Sequence, residues 1–278
     1  MRIAVIANEK VAGVAVAAAR VAETLRELGA SVTMAPDGVP FPEKVTDALL
    51  QDCDVAVALG GDGTIMHVAK RAARLDRPVL GVNCGKLGFL AGLEMSELPL
   101  LAKLPAGTFV SEKRMMLTVE AAGQTYCALN EVVLSRGSAR MVDICVRDAG
   151  RQVLRYQADG VIAATPTGST AYALSAGGPV VDPAMRCTLV TPVCPHTLYS
   201  RPYLFGENSR LELAAHSYDG QDVQLAVDAE QILSLPSGTP VTVRPSDVQA
   251  TLIQCAPRAF YTVLEQKLTY HRETEEPV

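Results

Sequence analysis

Asp54-Val55-Ala56-Val57-Ala58-Leu59-Gly60-Gly61-Asp62-Gly63-Thr64-Ile65-Met66 is the stretch on which the reading of this chain turns. An apolar run of strand length stops at two glycines, a carboxylate and a third glycine, and a helical pattern then starts at a hydroxyl residue. Small residues at such a junction allow a tight turn and let a ligand come close to backbone N–H groups; the start of a helix adds partial positive charge. The turn Gly60, Gly61, Gly63, Thr64 therefore suits phosphate. Asp62 is the odd member, because a carboxylate set there needs a metal ion or a chemical task to account for it.

Around that turn the pattern alternates. Residues 3–7 form a buried strand, and residues 11–28 are Ala-rich and helical in period, stopping at Gly29. Strands at 31–34 and 54–59, a helix at 64–75 and a strand at 78–82 follow. This is the order of an open, mostly parallel α/β sheet, in which ligands bind beyond the carboxyl ends of the strands. A second glycine-rich stretch, Gly81-Val82-Asn83-Cys84-Gly85-Lys86-Leu87-Gly88-Phe89-Leu90, fails as a P-loop. Its glycines are one residue too close, and Leu87 stands where a hydroxyl would reach magnesium. Two readings fit it: a loop facing the cleft of Asp62, or a tight strand-to-helix turn.

From residue 109 the texture changes. Strand patterns at 114–120, 125–134, 142–147, 153–157, 210–215, 223–227 and 239–243 are separated by Gly-containing turns, which predicts an all-β, sandwich-like second domain. Residues 99–108 read as the linker, and the acidic tail at 273–276 as solvated chain.

Composition sets limits. A chain of 278 residues with 49% hydrophobic and 20% charged residues has material for one large or two modest domains. A net charge of -5 supplies no basic field, which counts against a nucleic-acid binder. The seven cysteines are odd in number and lack C-x-x-C spacing, so a reduced, cytoplasmic chain is expected rather than a disulfide framework or zinc site. The first residues are too short an apolar run for a signal peptide, and no uncharged stretch reaches membrane-spanning length.

Three further constellations carry chemistry. In 159–179, Asp159 heads a short apolar strand that runs into Thr165-Pro166-Thr167-Gly168-Ser169-Thr170 and then Ala171-Tyr172-Ala173-Leu174-Ser175. Hydroxyls and N–H groups there suit a nucleotide or sugar, while each alone is also an ordinary turn or cap residue. Asn130-Glu131 falls in the middle of the apolar run 126–134. A carboxamide matches the donor and acceptor of adenine, and a carboxylate accepts from both hydroxyls of a ribose. Plain alternation would put Glu131 on the wet face, but it would also bury Asn130, so function is the better reading. Cys194-Pro195-His196 within 191–202 suggests a metal or a thiolate nucleophile; with two prolines and no second ligand pair, a stiff turn is favoured. His67 suits the phosphate cleft and a helix surface equally, and His216 and His271 have no surroundings that assign them a task.

Taken together, Gly-Gly-Asp-Gly-Thr at 60–64, the 81–90 stretch, Glu112-x-Arg114-Met115-Met116-Leu117, Asn130-Glu131, residues 159–179 and Cys194-Pro195-His196 through Arg201-Pro202 resemble the bacterial NAD kinases. Gly-Gly-Asp-Gly is shared with diacylglycerol kinases, sphingosine kinases and phosphofructokinases; the ordered set is specific. The resemblance implies an α/β phosphate-donor domain at 1–108, a β-rich NAD-binding domain at 109–248, a C-terminal segment at 249–278 packing back on the first, and an active site between the two domains. It implies transfer of the ATP γ-phosphoryl group to the 2′-hydroxyl of the adenosine ribose of NAD, with a divalent ion, magnesium foremost, whose ligands it does not specify. It implies Asp62 as proton acceptor, with Gly63, His67, Phe89, Asn130, Glu131, Arg140, Gln157, Asp159, Thr167, Thr170, Ala171, Tyr172, Ala173, Leu174, Ser175 and Glu230 as NAD-binding positions. It also implies a homodimer or homotetramer. Two departures stand out: Asp228-Ala229-Glu230 occupies the place of Asp-Gly-Gln, and Gln157 that of an arginine found in some relatives. The rival readings are a lipid or sugar kinase on the same scaffold and a dinucleotide sensor without catalysis.

Overall fold

The computed structural model describes residues 1–273 apart from Asp37, Lys86 and Leu198, and for Gln231 and residues 268–273 it describes the backbone only. The acidic tail beyond residue 273, the His271 side chain, Lys86 of the 81–90 stretch and Leu198 within 191–202 lie outside the described residues. Two compact units divide the chain, one made of residues 1–113 with 250–278 and the other of 114–249.

The first unit is an α/β layer structure. Its elements in order are β1 (Arg2–Ala7), α1 (Val14–Glu27), β2 (Ser31–Met34), α2 (Asp47–Gln51), β3 (Val55–Gly60), α3 (Asp62–Ala73), β4 (Val79–Asn83), β5 (Leu93–Glu94), a 3₁₀ stretch (Met95–Ala102), α4 (Lys103–Ala106) and β6 (Val110–Arg114). The strands order β2-β1-β3-β4, and the chain's return as β19 (Ala250–Gln254) pairs with β4 in parallel and lies beside β6. β3 and β4 are buried along their whole length, as parallel strands covered on both faces require. The buried residues of α1, Val14, Ala18, Val21, Ala22 and Leu25, recur at helical spacing and pack with Val5, Val57 and Leu80 in one core. Leu98, Leu101 and Leu104 join that core, so the expected linker at 99–108 is instead a helical cover held by buried leucines. Helix α6 (Phe260–Glu273) ends the described chain.

The second unit is an antiparallel sandwich. It runs β7 (Leu117–Ala121), β8 (Gln124–Ala128), β9 (Glu131–Arg136), β10 (Val142–Asp148), β11 (Arg151–Ala158), β12 (Gly160–Ala164), α5 (Tyr172–Ser175), β13 (Cys187–Val193), β14 (Tyr203–Gly206), β15 (Leu211–Ser217), β16 (Val223–Val227), β17 (Gln231–Leu235) and β18 (Val241–Pro245). One sheet orders β11-β10-β15-β18-β7-β8 and the other β14-β13-β12-β9-β16-β17. Val119, Ile144, Leu213 and Val243 of the first meet Val132, Leu134, Val161 and Leu225 of the second in a shared core.

Two expected strands are split. Residues 114–120 break after Arg114, which ends β6, and resume at Leu117. Residues 125–134 break at Leu129-Asn130, where the chain leaves β8 in one sheet and enters β9 in the other. An unbroken apolar run conceals such a crossing, because residues buried before and after it look alike in sequence.

Candidate functional site

Asp62 is positioned by three segments of its own unit. Helix α3 starts two residues earlier than its hydrophobic pattern predicts, with Gly61 as N-cap, so Asp62 lies in the first turn where negative charge is favoured. The expected capping hydroxyl of Thr64 is already inside the helix, buried, and accepts from the Asn8 side-chain amide at 2.9 Å. From the 81–90 loop, the Phe89 N–H donates to Asp62 Oδ2 at 2.9 Å and the Leu90 N–H to Oδ1 at 3.0 Å. Gly88 permits this approach, because a Cβ on it would lie 2.4 Å from Oδ1. From α6, Lys267 Nζ sits 3.4 Å from Oδ2 and 4.0 Å from the centre of the Phe89 ring. A carboxylate offers about four acceptor sites. Three are used by these contacts, and the open one is on Oδ1.

Backbone N–H groups at the first turn of a helix have no intrahelical partner. The α3 start therefore offers donors to an anion beside the carboxylate. His67 is not part of this arrangement: five residues on, it lies about 140° around the helix, and its ring meets Phe41 edge-on at 5.2 Å.

In the second unit, Asn130 and Glu131 occupy the crossing between sheets, and two chain segments lock onto it. The Asp228 carboxylate, 3% exposed, accepts from the N–H groups of Leu129, Asn130 and Glu131 at 2.9, 2.9 and 3.0 Å. Thr165 donates its N–H to the Asn130 carbonyl and its hydroxyl to the Leu129 carbonyl, at 2.8 and 2.6 Å. Gly168 packs so closely that a Cβ would stand 2.1 Å from the Asn130 carbonyl oxygen. The 3₁₀ turn Thr167–Thr170 and α5 continue from there, and the Tyr172 N–H faces the Glu131 carboxylate. Thr165, Gly168 and Tyr172 are thus the points at which this stretch meets the Asn130-Glu131 crossing, with Thr167, Thr170, Ala171, Ala173, Leu174 and Ser175 on the turn and helix that carry them.

Glu131 reverses the burial that alternation implies: it is 7% exposed, while Asn130 is half-buried. Its Oε2 is buried without a hydrogen-bond partner. Burial first, and the neighbouring Asp228 second, push the carboxyl up to about 7, against a partial offset from the Tyr172 N–H.

Of the remaining expected positions, Glu230 lies in the turn at the Glu131 end of β9, two residues after Asp228, and Asp159 lies at the other end of that strand. Glu131 pairs with Ala164 at one end of β9 and β12, whereas Ser135 pairs with Gly160 at the other, where Asp159 follows the strand out. Five residues of strand separate Glu131 from Arg136, roughly 17 Å. Asp159 there binds Arg136 Nε at 2.8 Å, and Gln157 donates to the Tyr218 hydroxyl at 2.6 Å. Arg140 is exposed on a bend, its N–H 3.3 Å from Ser138 Oγ. Glu230 is exposed in the turn between β16 and β17, its N–H donating to the Val227 carbonyl. Asp228 and Ala229, just before it, both have left-handed φ values, 49° and 56°. Cys194 too is exposed and left-handed, at 45°, and the His196 N–H donates to the Gln157 carbonyl, which makes the segment a structural turn. Among the described residues no group of three His, Cys, Asp or Glu could hold a metal ion, and no helix is long and apolar enough to cross a membrane.

Two residues central to this geometry had no local signal. Lys267 is one lysine far along the chain, and Asp228 stands out only as the first residue of Asp228-Ala229-Glu230, where nothing marks it as the acceptor for Leu129, Asn130 and Glu131. Their spacing from Asp62 and Asn130, 205 and 98 residues, is closed by the fold alone.

Comparison with known proteins gives a single answer. Residues 3–104 match the model of the ATP-NAD kinase N-terminal domain and residues 129–255 that of the ATP-NAD kinase C-terminal domain. An NAD kinase of Geobacter sulfurreducens is 38% identical over 256 residues, 90% of this chain and 86% of that protein. One of Symbiobacterium thermophilum is 42% identical over 249 residues, 87% and 84% of the two chains. The crystal structure of an NAD kinase from Archaeoglobus fulgidus in complex with ATP superposes with a TM-score of 0.78 at 27% identity, covering 96% of this chain and 98% of that one. The yeast NADH kinase complexed with NADH shares the fold, with a TM-score of 0.82 at 24% identity over 97% and 88% of the chains. An α/β unit with the Asp62 turn, a β sandwich with the Asn130-Glu131 crossing and these relatives agree: the chain belongs to the ATP-NAD kinase family, enzymes that phosphorylate NAD.

Proposed function

We propose that this enzyme transfers the γ-phosphoryl group of ATP to the 2′-hydroxyl of the adenosine ribose of NAD, with Asp62 taking the hydroxyl proton. The observation that carries the reading is the Asp62 carboxylate, fixed by two backbone N–H groups and left with one acceptor site on Oδ1. A carboxylate is too weak a base to remove an alcohol's proton in advance. Asp62 instead accepts a hydrogen bond from the hydroxyl and takes the proton as the oxygen–phosphorus bond forms. The bond from the γ-phosphorus to its bridging oxygen breaks at the same time, its electron pair leaving with ADP. The transition state is loose, so positioning and charge neutralisation supply most of the acceleration, and a base adds roughly 10²–10⁴-fold.

Gly61 and Gly63 face open space at the start of α3, where phosphates would sit, while the missing Cβ of Gly60 makes room for the Thr64 side chain. Asn130, Glu131, Thr167 and the run from Thr170 to Ser175 hold the dinucleotide, Glu131 accepting from ribose hydroxyls at its unfilled oxygen. Phe89 offers an aromatic face near the adenine. Asp62 already takes three donors, and among the described residues no cluster of His, Cys, Asp or Glu could hold an ion by itself. A divalent ion would be held by the triphosphate oxygens and would neutralise part of their charge. Arg140, Gln157 and Asp159, away from Glu131 along the strands, would meet the ligand at its periphery, and Glu230, exposed on the turn that carries Asp228, would meet it near Glu131. The second chain of a homodimer or homotetramer gives them another route to it, and the cytoplasm is the expected compartment.

The test offers purified enzyme NAD, diacylglycerol and fructose 6-phosphate separately, with labelled ATP and magnesium. Label appears in NADP alone. Label in a lipid or sugar phosphate at a comparable rate would favour the shared-scaffold alternative, and NAD binding without label transfer would favour the sensor.

A further inference from the structure

Lys267 is a residue the reaction as described leaves unused, although its ammonium lies 3.4 Å from the carboxylate that takes the proton. It reaches that place from α6 by an aromatic contact: Phe260, at the start of the helix, packs on Phe89 with ring centres 6.0 Å apart. Phe89 in turn donates its N–H to the same Asp62 oxygen that faces Lys267. The ammonium also lies over the Phe89 ring at 4.0 Å, so ring and carboxylate both fix it. Side chains of Lys267 and Asp62 are 26% and 33% exposed, partly shielded from water yet open to a ligand.

We infer that Lys267 is a positioning residue for phosphoryl transfer, holding Asp62 Oδ2 so that Oδ1 faces the hydroxyl and offsetting the carboxylate's charge beside the incoming triphosphate. The inference rests on Asp62 as proton acceptor. A bare carboxylate repels the phosphoryl oxygens that must come within bonding distance of the hydroxyl it serves. The ammonium cancels that repulsion. As the 2′-oxygen bonds to the γ-phosphorus and the bridging bond breaks toward ADP, the proton passes to Oδ1 and Asp62 becomes neutral. Lys267 then loses its partner just as negative charge is spread over the phosphoryl oxygens, an interaction stronger in the transition state than before it.

The test is a double-mutant cycle of Lys267→Met and Asp62→Asn, with Lys267→Arg as the conservative variant, read as turnover to NADP and as equilibrium NAD binding. Lys267→Met is expected to lower kcat by about tenfold or more with NAD binding unchanged, and Lys267→Arg to recover part of the loss. In the Asp62→Asn background, Lys267→Met is expected to cost less than about twofold, because it acts through the missing carboxylate. An equal fractional loss in both backgrounds would show a role in holding α6 instead, and would overturn the inference. If Asp62→Asn loses turnover but Lys267→Met does not, the inference fails and the base assignment stands. If Asp62→Asn keeps near-normal turnover, both fail.

Discussion

Asp62 and Glu131 are both carboxylates with a site to offer, yet their surroundings are opposite. Asp62 is partly exposed at the positive end of a helix, held by two N–H groups and an ammonium. Glu131 is buried beside Asp228, with one oxygen unpartnered and its carboxyl pushed up to about 7. The first surrounds a carboxylate with donors at a helix start, the setting the proposed role of Asp62 calls for. The second leaves one buried oxygen without a partner and only the Tyr172 N–H as offset, so under the proposed function a ligand hydroxyl reaching that oxygen would be favoured over a partner that lacks one.

The comparison breaks most visibly at Glu131. Glu131→Ala is expected to raise the KM for NAD by about tenfold or more, the worth of hydrogen bonds to a charged group, with far less effect on the KM for ATP. An equal rise in both would remove Glu131 from the acceptor site. The same residue makes a prediction without ligand. Between pH 4.5 and about 7 the folded chain keeps the Glu131 proton and the unfolded chain releases it. Rising pH through that window therefore costs stability, up to roughly 3 kcal/mol. Urea unfolding of Glu131→Gln should lose that slope, and an unchanged slope would show that another group carries it.

A smaller effect sharpens the support beneath Glu131. Asp228 must curve back to collect three N–H groups, and the turn that lets it do so puts Ala229 at a φ of 56°. Left-handed backbone costs a residue with a Cβ about 1 kcal/mol that glycine is spared. Ala229→Gly should add that much stability in denaturant unfolding and leave turnover unchanged. Loss of stability would mean that the Ala229 methyl group packs usefully.

Much of this was open in the sequence. Strand runs such as Val55–Gly60 and the glycine turn after it are local signals, and local signals survive without the fold. The 60–64 and 159–179 stretches were legible for the same reason, since backbone conformation dictates their residue types. The crossing at Leu129-Asn130 was not, because apolar residues on either side belong to different sheets but bury alike. Nor was the cover at 99–108, where Pro99 and Pro105 suggest a linker while Leu101 and Leu104 fill the core. Lys267 and Asp228 depend on contacts across long separations, which no period in the chain records.

The central claim is that Asp62 takes the proton of the NAD hydroxyl, and Asp62→Asn tests it directly because an amide keeps the shape and cannot serve as the base. NAD binding by equilibrium dialysis should stay within a few-fold of the unmodified enzyme, and the rate of NADP formation should fall by at least ~10²-fold. Near-normal NADP formation by the purified variant would contradict the account.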